Sequence, residues 1–142
     1  MKQYLFEYGS SFYNTEELKY FAEKYIKKLP KDVTCLVSIG SSGCAIASAI
    51  LTLSEKSLNH ISLRKNATES QHAAYYAGRA KPLDVYCIVD DFIDTGETIK
   101  NILNKHITFE KNIKYILVDY SELSKKRLKE IIIQNIKLIT IS

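Results

Sequence analysis

Short apolar runs that are continuous rather than alternating recur along this chain, and most of them hand over to a stretch with helical character. "VTCLVSIG" at 33–40 leads into "GCAIASAILTL", "DVYCIVD" at 84–90 precedes a helix expected from about Gly96 to Asn104, and "IKYILVDY" at 113–120 precedes "SELSKKRLKEIIIQ". "IKLITIS" at 136–142 closes the series. A strand apolar at consecutive positions buries both its faces, as strands do in parallel sheets covered by helices on two sides. Strands alternating with helices are joined by crossovers, which make them parallel. With "HISLR" at 60–64 as a further strand, the expected fold class is α/β, a mainly parallel five-stranded sheet flanked by helices.

Ahead of this core, Asn14 followed by Glu17 reads as a capping box. Leu18, Phe21, Ala22, Tyr25, Ile26 and Leu29 then recur at helical spacing until Pro30, which makes an amphipathic helix. "KNATESQHAAYYAGRAK" at 65–81 has no clear period and is expected to be a long mobile connection, a length that is usually functional or disordered. A chain of 142 residues suits one domain with a sizeable core, here 1–142, with an N-terminal segment at 1–30 and the core at 33–142. No apolar stretch has the length of a membrane span, and the N-terminus has no signal-peptide core, so a cytoplasmic location and no membrane partner are expected.

Cys35, Cys44 and Cys87 form an odd set with no C-x-x-C spacing, so neither a disulfide framework nor a zinc site is suggested. The formal net charge of +4 is mild. Its densest basic cluster, "KKRLKE" at 125–130, reads as a solvated helix face, and no nucleic-acid partner is expected.

Parallel α/β sheets bind ligands outside the carboxyl ends of their strands, where the strand order reverses. Two loops occupy such places, "SIGSSG" and "VDDFIDTG". In the second, Gly96 permits close backbone approach, Thr95 and Thr98 supply hydroxyls, and the following helix aims free N–H groups at the loop, which together make an anion cradle. The plainer alternative is that Asp94 only caps the helix, with Glu97 as its box partner. Asp90 and Asp91 are neighbouring carboxylates at a buried strand end, and their repulsion must be offset by a cation or by hydroxyl donors, unless they are merely solvated loop acids. Acids beside an anion cradle suit a ligand with a phosphate at one end and a diol at the other, with a divalent metal nearby. A sugar phosphate has that shape.

"VYCIVDDFIDTGET" at 85–98 resembles the signature of the type I phosphoribosyltransferases, which bind phosphoribosyl pyrophosphate: an apolar run, two acids, two further residues, then Asp-Thr-Gly-x-Thr. The resemblance implies that Asp90 and Asp91 hold the ribose hydroxyls and that Asp94, Thr95, Gly96, Glu97 and Thr98 wrap the 5′-phosphate. Phe92 stands where an aliphatic residue is usual. "GSSGCAIA" at 40–47 is similar to the family's pyrophosphate loop, which puts Gly40, Ser41, Ser42 and Gly43 at the pyrophosphate; a serine-capped helix after a strand is the alternative. Arg64 and Lys65 resemble the basic pair that opens the catalytic loop in many members, with His72 the one histidine beyond it in that loop.

What the family resemblance implies is a fold, a reaction and a cofactor. The fold carries a base-binding hood, minimal here with residues 1–30 ahead of the core, from which Tyr4, Phe6, Tyr8, Phe12 and Tyr13 could stack on a base, although aromatics in such a segment are more often core or dimer contacts. The reaction transfers phosphoribosyl to a ring nitrogen of a purine or pyrimidine base with release of pyrophosphate. Mg2+ and Arg64–Lys65 offset charge on the leaving group, and Asp90, Asp91 and Asp94 act at the ribose and as proton acceptor. Any metal contact by Asp90 or Asp91 would run through water or ribose. Base identity stays open, since hypoxanthine and guanine enzymes carry a lysine near the end of the next strand and this chain has Asp119. A homodimer is implied by the same resemblance. The alternative function is a non-catalytic module of the same fold that senses phosphoribosyl pyrophosphate or a nucleotide.

Overall fold

The computed structural model describes residues 5, 12–63, 76–105, 113–131 and 135–142. Helix α1 (Thr15–Lys28) starts where Asn14 accepts hydrogen bonds on its side-chain oxygen from the amides of Glu16 and Glu17, both at 3.1 Å. Strand β1 (Cys35–Ile39) runs straight into α2 (Gly40–Leu53), and β2 (Asn59–Leu63) follows. Next come β3 (Tyr76–Gly78), β4 (Tyr86–Val89), the short β5 (Phe92–Ile93) and α3 (Glu97–Lys105). The chain then forms β6 (Ile113–Val118), β7 (Tyr120–Ser121), α4 (Lys125–Ile131) and β8 (Lys137–Thr140).

The main sheet has six strands in the order β3-β2-β1-β4-β6-β8. Its five central and outer strands from β2 to β8 are mutually parallel. The sixth, β3, lies within the stretch expected to be a featureless connection. It pairs antiparallel with β2, Leu63 opposite Tyr76 and Ile61 opposite Gly78. Three residues are too few to show a period, so this edge strand is set by backbone pairing with β2 and leaves no pattern in the side chains. The helix expected over 121–134 is shorter at its start, because Ser124 caps α4 by accepting from the Arg127 amide at 3.0 Å.

The continuous apolar runs are explained by two separate layers. Val37, Ile88, Ile116, Val118 and Leu138 face a core completed by Ile99, Ile102 and Leu103 of α3 and Leu128 of α4. Leu36, Cys87, Val89 and Leu117 point the other way, against Ala22 and Tyr25 of α1 and Ile46, Ala47 and Ile50 of α2. Cys35 and Cys87 are buried in these layers as thiols and Cys44 is half-buried. No helix among the described residues is long and apolar enough to cross a membrane.

Sheet order decides where the site can be. From β1 the chain moves outward to β2, then returns to place β4, β6 and β8 on the other side of β1. The order therefore reverses between β1 and β4, and the loops leaving those two strands diverge around a crevice. Beyond the strand ends a two-stranded ribbon continues the sheet, with Phe92 paired to Tyr120 and Ile93 to Ser121.

Candidate functional site

A cleft of about 280 Å³ opens at this reversal. Ile39, Gly40, Ser41 and Ser42 line it from the end of β1, and all nine residues from Asp90 to Thr98, with Ile99, line it from the end of β4. The two loops singled out by their sequence thus form one cleft. Gly43 is not among the lining residues; it lies behind them, where a side-chain carbon would stand 3.2 Å from the Val89 carbonyl oxygen and 3.4 Å from Asp90 Oδ1. Its bare Cα lets the first turn of α2 approach the end of β4.

Gly40 turns the strand into the helix with φ +80°. Ile39 occupies the N-cap position without a side-chain hydrogen bond, so the alternative of a serine cap is not what starts α2. The first amides of a helix have no intrahelical acceptor, and without a side-chain cap those of α2 remain available at the cleft. On the other side Gly96 makes a second left-handed turn, φ +85°, and α3 begins. Thr95, not Asp94, caps it: Thr95 Oγ1 accepts from the Glu97 amide at 3.3 Å. Asp94 is exposed on the cleft lining, its carboxylate outside that cap. Two helix starts, each with its positive dipole end, face the cleft together.

Asp90 is nearly buried, at 8% exposure, and Asp91 is half-buried. Both carboxylates fold onto the chain that carries them. Asp90 Oδ1 accepts from the Asp91 amide at 2.9 Å, and Asp91 Oδ1 from the Phe92 amide at 2.8 Å. The turn is tied to the sheet by the Asp90 amide donating to the Leu117 carbonyl and the Asp119 amide donating to the Asp91 carbonyl. From below, the Tyr25 hydroxyl donates to the Asp90 carbonyl at 2.7 Å. Burial, then the charges of Asp119, Asp91 and Asp90, push that hydroxyl above the ordinary tyrosine range, so it remains a donor.

Tyr25 was legible in the sequence as one position of an apolar helical stripe. The missed signal is its hydroxyl, since a buried tyrosine needs a partner for the oxygen and the rest of that stripe has no polar atom to offer. Ser38 and His60 were also missed: fully buried Ser38 meets His60 Nε2 at 2.7 Å across β1 and β2, and burial pulls the imidazole below its usual range.

Asp90, Asp91, Asp94 and Glu97 line the cleft, and no lysine or arginine does among the described residues. Arg64, Lys65 and His72 lie outside the described residues, as do Tyr4, Phe6 and Tyr8. Phe12 packs on Phe21 with ring centres 5.8 Å apart, and Tyr13 is 66% exposed. Phe92, at the position where the sequence departs from the usual pattern, stacks on Tyr120 at 5.2 Å with the rings 5° from parallel.

A hydrated magnesium ion suits this donor set. Magnesium keeps several waters and is held through one or two carboxylates together with ligand phosphates, so it needs no cage of protein ligands. No group of three His, Cys, Asp or Glu that could hold an ion gathers among the described residues, so the carboxylate pair of Asp90 and Asp91 would act through water or ligand oxygens.

No protein-family model matches this sequence, and no curated protein does. Solved structures do match. The orotate phosphoribosyltransferase of Francisella tularensis superposes with a TM-score of 0.71 at 17% identity, over 96% of this chain and 71% of that one. The Mycobacterium tuberculosis orotate phosphoribosyltransferase in complex with 5-phospho-α-D-ribosyl 1-diphosphate gives 0.72 at 10% identity, over 92% and 75%. The adenine phosphoribosyltransferase of Saccharomyces cerevisiae, complexed with an imino-altritol bisphosphate and adenine, gives 0.62 at 18% identity, over 92% and 82%. The chain thus shares the fold of these enzymes, the type I phosphoribosyltransferase fold.

Proposed function

We propose that this chain is a phosphoribosyltransferase, transferring 5-phosphoribosyl from phosphoribosyl pyrophosphate to a ring nitrogen of a purine or pyrimidine base with release of pyrophosphate. The observation that carries the reading is the convergence, on one cleft of about 280 Å³, of a carboxylate pair and two helix starts. Asp90 and Asp91 accept from the ribose hydroxyls. The turn from Asp94 to Thr98 wraps the 5′-phosphate with backbone amides, and the first amides of α2, at Gly40, Ser41 and Ser42, face the pyrophosphate. The fold of the superposed enzymes, one of them complexed with the same phosphoribosyl donor, supports this placement.

In the reaction a base nitrogen forms a bond to C1 of the ribose while the C1–oxygen bond to pyrophosphate breaks. The electron pair of that bond leaves with the pyrophosphate. Positive charge builds on the ribose, where the acids of Asp90 and Asp91 stabilise it, and negative charge builds at the helix start of α2. Asp94 accepts the proton from the base. Mg2+, when bound, neutralises charge on the pyrophosphate. Arg64 and Lys65 belong to the same proposal as the cations that follow β2.

A second reading, a non-catalytic module that binds phosphoribosyl pyrophosphate or a nucleotide, is favoured by the acid-rich lining without a lysine or arginine among the described residues. Titration calorimetry with phosphoribosyl pyrophosphate, with and without magnesium, tests the shared site. We expect magnesium-dependent binding in the wild type that is lost in Asp90→Asn/Asp91→Asn. Pyrophosphate release with a panel of bases then separates the readings: binding with turnover is the enzyme, binding without it the sensor. No binding by the folded wild type excludes both.

A further inference from the structure

We propose that Tyr25 is a positioning residue for the Asp90–Asp91 carboxylate pair, acting through the Asp90 carbonyl. This rests on the reading that the cleft takes magnesium and phosphoribosyl pyrophosphate.

Strand β4 ends at Val89, so the carbonyl of Asp90 is the first in this segment beyond the strand. A buried carbonyl there must find a donor elsewhere. Tyr25, fully buried on α1, supplies it across 65 positions of sequence with a 2.7 Å hydrogen bond. The peptide joining Asp90 to Asp91 is the lever on which both acids turn. Its carbonyl end is held by Tyr25, and its amide end is held by Asp90 Oδ1 at 2.9 Å. Rotation of that peptide would swing one carboxylate out of its own turn and re-aim the other.

Other constraints act on other atoms of the same residue. The Asp90 amide is tied to Leu117, and the would-be side-chain position of Gly43 abuts Asp90 Oδ1, yet neither reaches the carbonyl oxygen. The Tyr25 ring is fully buried in the layer that also holds Leu36, Ile46, Val89 and Leu117, which gives the hydroxyl a fixed platform. Helix α1 thereby contributes one polar atom to the acid turn without lining the cleft.

The test compares full-length wild type, Tyr25→Phe and Ile50→Val by calorimetry and thermal melting. Tyr25→Phe keeps the ring and removes only the hydroxyl. Ile50→Val trims the same buried layer far from the acids and serves as a stability control. Two probes are titrated: magnesium with phosphoribosyl pyrophosphate, which needs the ribose acids, and inorganic phosphate, which needs the helix-start amides and not those acids. We expect Tyr25→Phe to bind phosphoribosyl pyrophosphate about tenfold more weakly, the scale of one lost buried hydrogen bond. Its phosphate affinity should stay within about twofold of wild type, and Ile50→Val should lose neither. Equal affinity of wild type and Tyr25→Phe for both probes overturns the proposal alone. A parallel loss of both probes, or a Tyr25→Phe chain that does not fold while Ile50→Val does, overturns it too, because the hydroxyl then serves stability and not aim. A wild type that binds phosphate but not phosphoribosyl pyrophosphate overturns the reading of the cleft, and with it this proposal.

Discussion

A nearly buried carboxylate surrounded by donors stabilises a fold only while it is ionised, and Asp84 is that residue, at the sheet end opposite the cleft. It accepts from Thr34 Oγ1 at 2.8 Å, from Asn59 Nδ2 at 3.3 Å and from the Lys81 amide, joining the starts of β1, β2 and β4. Burial alone would raise its pKa; the Lys81, Thr34 and Asn59 donors outweigh that and hold it below the ordinary carboxylate range. The unfolded chain therefore binds this proton more tightly than the folded one. The stabilisation is complete at neutral pH and declines as pH falls below about 4. Asp84→Ala should cost about 2–3 kcal/mol in urea unfolding at pH 7, since three donors lose their acceptor. The deficit relative to wild type should narrow as the pH is lowered toward 3. Little of this was legible: Asp84 reads as the polar start of a strand, because two of its three donors come from positions 25 and 50 residues away. Asp94 and Thr95 teach the same lesson. Both are sound capping residues ahead of Glu97, and the turn at Gly96, not residue type, selects Thr95.

Among the elements, the long apolar strands were legible and the short ones were not. A run such as "CLVSI" specifies its own burial, since every one of its positions is buried whichever layer it faces. Strands β3, β5 and β7 have two or three residues and exist because a neighbouring backbone offers partners. For β3 the enabling residue is Gly78, at φ +136°, where any side-chain carbon would overlap the His60 carbonyl oxygen. That obstacle is backbone and cannot swing aside. Gly78→Ala should therefore cost about 2 kcal/mol or more and free this edge. Faster hydrogen exchange at the Arg79 amide, which donates to the His60 carbonyl at 2.9 Å, together with a lower melting temperature, is the expected signature. Unchanged exchange at Arg79 would mean that the pairing does not depend on the glycine.

At the scale of the whole molecule, the proposed ligand is linked to folding. Phosphoribosyl pyrophosphate with magnesium at a hundred times its Kd should add about 2.7 kcal/mol to the unfolding free energy if it binds only the folded chain. That corresponds to a rise in Tm of roughly 8 °C for a chain of this size, read by differential scanning calorimetry, and Asp90→Asn/Asp91→Asn should show none of it. By itself the sequence determined the α/β class, the parallel core strands and the two strand-to-helix junctions, because these follow from local runs of apolar residues and from turn chemistry near each junction. Tertiary structure alone decided the rest. It placed β4 beside β1, so that loops 50 residues apart line one cleft, and it put α1 under the strand ends so that Tyr25 meets Asp90. It also paired Phe92 with Tyr120 beyond the sheet. The physical reason is that strand order and long-range hydrogen bonds depend on how elements share a common core, and no local pattern of residues records which element each will meet.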